Sequence, residues 1–331
     1  PEVGAKDDRR IAFPTEPFLV PTVANTLELR VDGVACHEGA TQSQGHYYSF
    51  LRAADPAPMP WHLCDDGNVI DVAWDRVAAC GSAFDVCSDT GGSIRLPAHY
   101  CGVAGFKPTS GRVPLSGHII GYDVGMLNRL TQLGPIARRV EDLALILPII
   151  AGIDGYDPWV VPMPLDDPDA VGLKGLRVAV CLDNGIATPA PEVAQAVRDA
   201  ADALSQVGVE IEEAWPPEAT ESTRIWHDLL VADGGAWIRR LLDEAGTEEP
   251  YPLIADRFFA VAPISASELT ELLSEWDRLR GAMLCFITGY DIIVCPASAY
   301  PAPPHGELNS MGDGHTYARI FNLTAWPAVV V

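Results

Sequence analysis

Residues 176–213 constrain the fold more than any other stretch, because they read as strand, helix and strand in direct succession. Leu176 to Cys181 is a short apolar run behind the turn Gly172-Leu173-Lys174-Gly175, the pattern of a buried strand. Pro191 to Val207 follows as an amphipathic helix, with Val193, Val197, Ala200, Leu204 and Val207 on one face. Gly208 stands where a helix C-cap belongs. Val209 to Glu213 then alternates, as a strand does. Two strands joined through a helix imply a parallel crossover, and hence an α/β fold.

Other segments fit that class. Ser267 to Leu284 carries Leu269, Leu272, Leu273, Trp276 and Leu279 at helical spacing, with Ser267 as expected N-cap and Glu268 and Glu271 in the first turn. Tyr290 to Cys295 reads as a buried strand, closed by the proline-rich turn at Pro301 to Pro304. Leu143 to Ala151 reads as a buried helix ending near Gly152; it is too short to span a bilayer and contains Pro148. The region before residue 80 reads differently. Pro56, Pro58 and Pro60 interrupt it, Asp65-Asp66-Gly67-Asn68 is turn chemistry, and no helix or strand is expected there. The expected organisation is an atypical segment over 1–80 and one α/β domain over 81–331.

Charge and cysteine content narrow the partners. A net charge of −23 opposes binding to nucleic acid, which needs clustered Lys and Arg, and to anionic membrane surfaces. No signal peptide is expected. The eight cysteines, Cys36, Cys64, Cys80, Cys87, Cys101, Cys181, Cys285 and Cys295, form no C-x-x-C pair. Reduced thiols in a cytoplasmic protein are the expectation. Cys36, His37, His46, His62 and Cys64 match no compact zinc spacing, so no metal and no cofactor are expected.

Chemistry concentrates in Asp89-Thr90-Gly91-Gly92-Ser93-Ile94-Arg95-Leu96-Pro97. A serine closes a glycine pair, on backbone able to aim several N–H groups at one point. Attack on an amide carbonyl needs a nucleophile and donors for the oxyanion that forms. Two other readings stand beside this one. The loop could be a plain anion nest. Asp89-Thr90-Gly91 could belong to a carboxylate pair, but no second Asp-Thr/Ser-Gly occurs.

Residues 84–114, from Phe84 through the serine loop to Lys107-Pro108-Thr109 and Pro114, closely resemble the amidase signature family. The match continues in Gly134-Pro135-Ile136-Ala137-Arg138, in Asp154-Gly155-Tyr156-Asp157-Pro158, in Tyr290 to Val294 and in Phe321-Asn322-Leu323-Thr324-Ala325-Trp326-Pro327-Ala328. It covers about residues 82–331, with an echo at Pro1-Glu2-Val3-Gly4. The resemblance implies an amidase-signature-like single domain, a mixed β-sheet flanked by helices on both faces. It implies hydrolysis of carboxylic amides through a serine acyl-enzyme, with a small-molecule amide as substrate. By motif, Ser93 matches the nucleophile. The backbone amides of Thr90, Gly91, Gly92 and Ser93 match the oxyanion hole, and Asp89 and Arg95 match residues that brace the loop. A homo-oligomer is compatible with this picture. Asn322-Leu323-Thr324 is formally a glycosylation sequon, idle in a cytoplasmic setting.

The chain also departs from the family pattern. The family's triad adds a serine with a cis peptide bond and a lysine base. The cis serine belongs about two dozen residues before the nucleophile, where Gly67-Asn68-Val69-Ile70-Asp71 places Val69. The lysines are Lys6, Lys107 and Lys174. Lys6 is flanked by Asp7 and Asp8, which favour its charged form. Lys107 reads as structural, and Lys174 lies in a linker. The expectation is therefore a chain truncated at both ends, with residues 9–80 the least family-like part, as a frame disruption would produce. An inactive homologue is the alternative function. A lesser alternative is an A-type subunit of a glutamine amidotransferase.

Overall fold

The structure, a computed structural model, describes residues 85–250, 255–304 and 313–331, together with the backbone of six strands between Phe18 and Val72. The chain divides into two compact units, Pro1–Asp85 and Val86–Val331. Lys6 and the turn at Pro1 to Gly4 lie outside the described residues.

In the first unit, β1 (Phe18–Pro21) pairs antiparallel with β2 (Thr26–Leu29). Strands β3 (Gly33–Thr41), β4 (Gln44–Arg52), β5 (Trp61–Asp65) and β6 (Asn68–Val72) form an antiparallel meander. The expectation that no strand precedes residue 80 is thus corrected. β3 and β4 mix glycine, histidine, serine and glutamate with apolar residues, so period-2 alternation is hidden. The register of β5 with β6 runs outward from Asp65 opposite Asn68, at the turn the sequence marks.

From the unit boundary onward the chain runs β7 (Asp85–Asp89), α1 (Arg95–Cys101), β8 (Ala104–Lys107), α2 (Met126–Leu130), β9 (Gln132–Ala137), α3 (Val140–Ile150) and β10 (Arg177–Val180). It continues through α4 (Pro191–Gln206), β11 (Glu210–Glu213), α5 (Ser222–Val231), α6 (Ala236–Glu244), α7 (Ala266–Ile287), β12 (Ile292–Val294), α8 (Thr316–Leu323) and β13 (Ala328–Val330). One sheet has the order β13-β8-β9-β7, with β8 antiparallel to both neighbours. The other has the order β11-β10-β12 and is parallel throughout. Antiparallel and parallel pairing with packed helices is the α/β architecture the sequence implies.

The strand–helix–strand forms as read, with corrections of detail. Pro191 opens α4 at a position whose N–H has no intrahelical partner. Val193, Val197 and Ala201 are its buried residues, spaced by four, and Val197 and Ala201 pack with Val178, Val180 and Val209. Ala200 and Val207 face outward instead. The helix ends as Gly208 N–H reaches Ser205 O (3.0 Å) and Val209 N–H reaches Leu204 O (3.2 Å), with Gly208 at φ 91°, a Schellman closure. β11 is exposed along its length and β12 is only partly buried, because both flank β10. In α3, only Leu143 and Ile146 are buried.

Helix α7 is capped by Ser265, not Ser267. The Ser265 hydroxyl accepts from Glu268 N–H (3.3 Å), and the Glu268 carboxylate accepts from Ser265 N–H (2.7 Å). Helices α2, α5, α7 and α8 meet in an apolar core, where Leu130, Met283 and Leu323 are fully buried. Each such side chain contributes about 1.5–3 kcal/mol.

Candidate functional site

The serine loop joins β7 to α1, and Asp89 organises it. Its carboxylate is fully buried. One oxygen accepts from Gly92 N–H (2.8 Å), the other from Ile94 N–H (3.1 Å). Arg95 closes a two-pronged pair on the same carboxylate, Nε at 3.0 Å and Nη2 at 2.8 Å. Burial alone pushes this carboxyl up. The Arg95 charge and the hydrogen bonds from Arg95, Asn322 and Gly92 outweigh it and hold Asp89 well below the usual carboxylate range.

Helix α8 completes the bracket. Arg95 Nη1 donates to Ala318 O (2.6 Å) and Nη2 to Asn322 Oδ1 (2.6 Å). The buried Asn322 amide lies 2.9 Å from Asp89 Oδ1, 3.0 Å from Asp89 O and 3.0 Å from Leu130 O. The structure thereby joins Asp89, Arg95 and Asn322. Sequence reasoning assigns Asn322 no part in the site, although it lies within a family-like motif.

The rest of the loop is held from other sides. Thr90 Oγ1 lies 2.8 Å from Thr131 Oγ1, which donates to Leu127 O (2.8 Å). Trp226 Nε1, from α5, donates to Thr90 O (2.8 Å). A Cβ on Gly91 would stand 2.5 Å from Trp226 Cζ2, and one on Gly92 would stand 2.8 Å from Leu96 Cδ1 and 2.9 Å from Ala318 Cβ. Gly92 also has φ 120°, so both positions require glycine. Ser93 ends the loop exposed, and among the described residues no side chain hydrogen-bonds its hydroxyl. The Gly92 amide is already directed at Asp89.

Lys107 sits at the end of β8, fully buried, with Nζ donating to Pro108 O (2.9 Å). Burial pushes its amine well below the ordinary lysine value; the nearby Arg95 charge adds to this and Asp89 opposes it. Lys174 is exposed and lies over Gly208, where a Cβ would come within 3.3 Å of its Cγ. Val69 lies on β6, opposite Cys64. At the far end of α1, His99 Nε2 meets Tyr300 O (3.0 Å), and Tyr100 OH meets His315 Nε2 (2.8 Å). A cavity of about 440 Å³ opens between α2, α5 and the start of α7, lined mainly by apolar side chains such as Met126, Leu229, Trp237 and Leu269. None of the five described cysteines forms a disulfide. Among the described residues no cluster of three metal-ligating side chains occurs, and no helix is long and apolar enough to cross a membrane.

Fold and loop together define a class: an α/β protein that presents an exposed serine beside backbone amides, over a buried Asp–Arg–Asn bracket. The Amidase family profile matches residues 76–331, and the chain belongs to that family. It is 38% identical over 209 residues to the A subunit of the glutamyl-tRNA(Gln) amidotransferase of Roseiflexus sp. (strain RS-1), covering 62% of this chain and 41% of that protein. It is 31% identical over 263 residues to an amidase of Pseudomonas putida, covering 75% of this chain and 53% of that one. Its fold matches fatty acid amide hydrolase with a TM-score of 0.67 at 24% identity, over 85% of this chain and 50% of the other. The chain thus spans about half the length of these relatives.

Proposed function

We propose that this chain carries the serine-loop portion of an amidase that hydrolyses small carboxylic amides through an acyl-enzyme on Ser93. The observation that carries this reading is the bracket of Asp89, Arg95 and Asn322 beneath an exposed serine. In this reading Ser93 Oγ attacks the amide carbonyl. The amides of Thr90, Gly91 and Ser93 receive the oxyanion, and Gly92 contributes only by sharing its hydrogen with Asp89. Asp89 and Arg95 brace the loop without touching substrate. The C–N bond then breaks, the amine leaves with a proton, and water releases the acid.

A second reading is a catalytically inactive homologue. It draws support from Lys107, whose amine is buried on Pro108 O, from the exposed Lys174 and from Val69 on β6. Loss of an activating base costs serine hydrolases several orders of magnitude. A fluorophosphonate probe separates the readings. Labelling at Ser93 that disappears in Ser93→Ala, with turnover of simple primary amides above that variant, establishes the amidase. Labelling and turnover equal to Ser93→Ala establish the inactive homologue. The likeness to the A subunit of an amidotransferase supports a lesser reading, tested by glutaminase activity that requires a partner protein.

A further inference from the structure

Trp226 belongs to none of the motifs that mark this family in the sequence, yet its indole makes two contacts with the serine loop. Its N–H donates to the Thr90 carbonyl at 2.8 Å, and its ring fills the space that a side chain at residue 91 would need. The Arg319 guanidinium stacks over the same ring, 4.7 Å from its centroid. Arg319 lies on α8 between Ala318 and Asn322, the two residues that hold Arg95. Successive peptide planes of the loop are therefore held by different partners: Asp89 holds the Gly91–Gly92 plane through Gly92 N–H, and Trp226 holds the Thr90–Gly91 plane through Thr90 O. A peptide plane held at its carbonyl is also held at its N–H, because the unit is rigid.

We propose that Trp226 is a positioning residue for the oxyanion-binding amides: it orients the Thr90–Gly91 peptide, and Arg319 holds the indole in place. This rests on the acyl-enzyme reading of Ser93 for its catalytic meaning, but the orienting role can be measured without catalysis. Trp226→Phe removes the N–H donor and keeps an aromatic ring. Gly91→Ala keeps the indole and drives a methyl against it. Trp276→Phe is the control, because Trp276 Nε1 makes an equivalent bond to Leu323 O at 2.9 Å, on α8 next to Asn322 and not on the serine loop itself.

The first measurement is amide hydrogen exchange over residues 90–93 in the intact chain. Trp226→Phe and Gly91→Ala are expected to speed it by roughly tenfold or more, with Trp276→Phe within about twofold of wild type at a comparable loss of global stability. The second is fluorophosphonate acylation of Ser93 together with amide turnover. Trp226→Phe is expected to slow both roughly ten- to a hundredfold, lowering kcat and leaving KM unchanged, since the indole acts on the loop through Thr90 O. Equal exchange in Trp226→Phe and Trp276→Phe overturns the proposal, as does acylation slowed equally in both. If wild type takes no label at Ser93, the acyl-enzyme reading fails, and the exchange comparison alone decides the role of Trp226. If Trp226→Phe does not fold, the exchange rates of Gly91→Ala decide the question in the same way.

Discussion

At the scale of single residues, Lys107 is a costly group to bury, since its amine donates to the Pro108 carbonyl and has two charged neighbours. Its pKa in the folded chain lies well below the ordinary 10.5. Below that ordinary value the unfolded chain holds the proton more tightly than the folded chain, so this group makes stability rise with pH from its folded pKa toward 10.5. Asp89 acts in the acid range: its stabilisation is present above about pH 3.9 and is lost as pH falls towards its depressed folded value. Lys107→Met keeps the volume and removes the amine. The expected outcome is a higher Tm at neutral pH and a flatter stability profile on the alkaline side as pH rises towards 10.5, with acid unfolding through Asp89 retained. A Tm that falls, or an unchanged profile, contradicts this account of Lys107. Ala325 carries backbone strain, as the only described non-glycine residue with positive φ, at 63°. Its carbonyl accepts from Ser110 N–H (3.1 Å), which ties the turn to the loop after β8. Ala325→Gly relieves the left-handed strain and is expected to add about 1 kcal/mol of stability in urea unfolding.

At the scale of elements, the ends of helices are less legible than their middles. The leucine spacing marks α7, but the serine it favours as N-cap lies two residues late. The correct signal is present: Ser265 stands three before Glu268, the capping-box spacing, whereas Ser267 stands three before Thr270. Ser265→Ala is expected to cost about 1 kcal/mol in chemical denaturation, and Ser267→Ala to stay within about 0.5 kcal/mol of wild type. The reverse order would place the cap at Ser267. In α4 the buried stripe follows Val193, Val197 and Ala201. Sequence favours Ala200 because three-residue and four-residue steps look alike there, and only the packing against β10 separates them. β11 misleads for a related reason: Val209 to Glu213 alternates, but an edge strand need not bury either face, and Glu210 to Glu213 are all exposed.

Over the whole molecule, what is legible in sequence is what is local. The crossover from β10 through α4 to β11 depends on neighbours in sequence, and the glycine pair before Ser93 announces a tight turn by itself. The partners of that turn are remote. Trp226 meets Thr90 across 136 residues and Asn322 meets Asp89 across 233, and no periodicity links positions so far apart. Asn322 reads as an idle sequon because its value lies in a buried amide offered to another segment, which a tripeptide pattern cannot express. The bracket around Asp89 has a temporal consequence. Ribosomes work from the N-terminus at about 5–20 residues per second, so roughly 10–50 s separate the emergence of Asp89 from that of Asn322. Through that interval the nascent serine loop lacks the amide that meets its carboxylate and the backbone carbonyl that receives Arg95. The part of the chain that looks most finished on paper is among the last to be assembled.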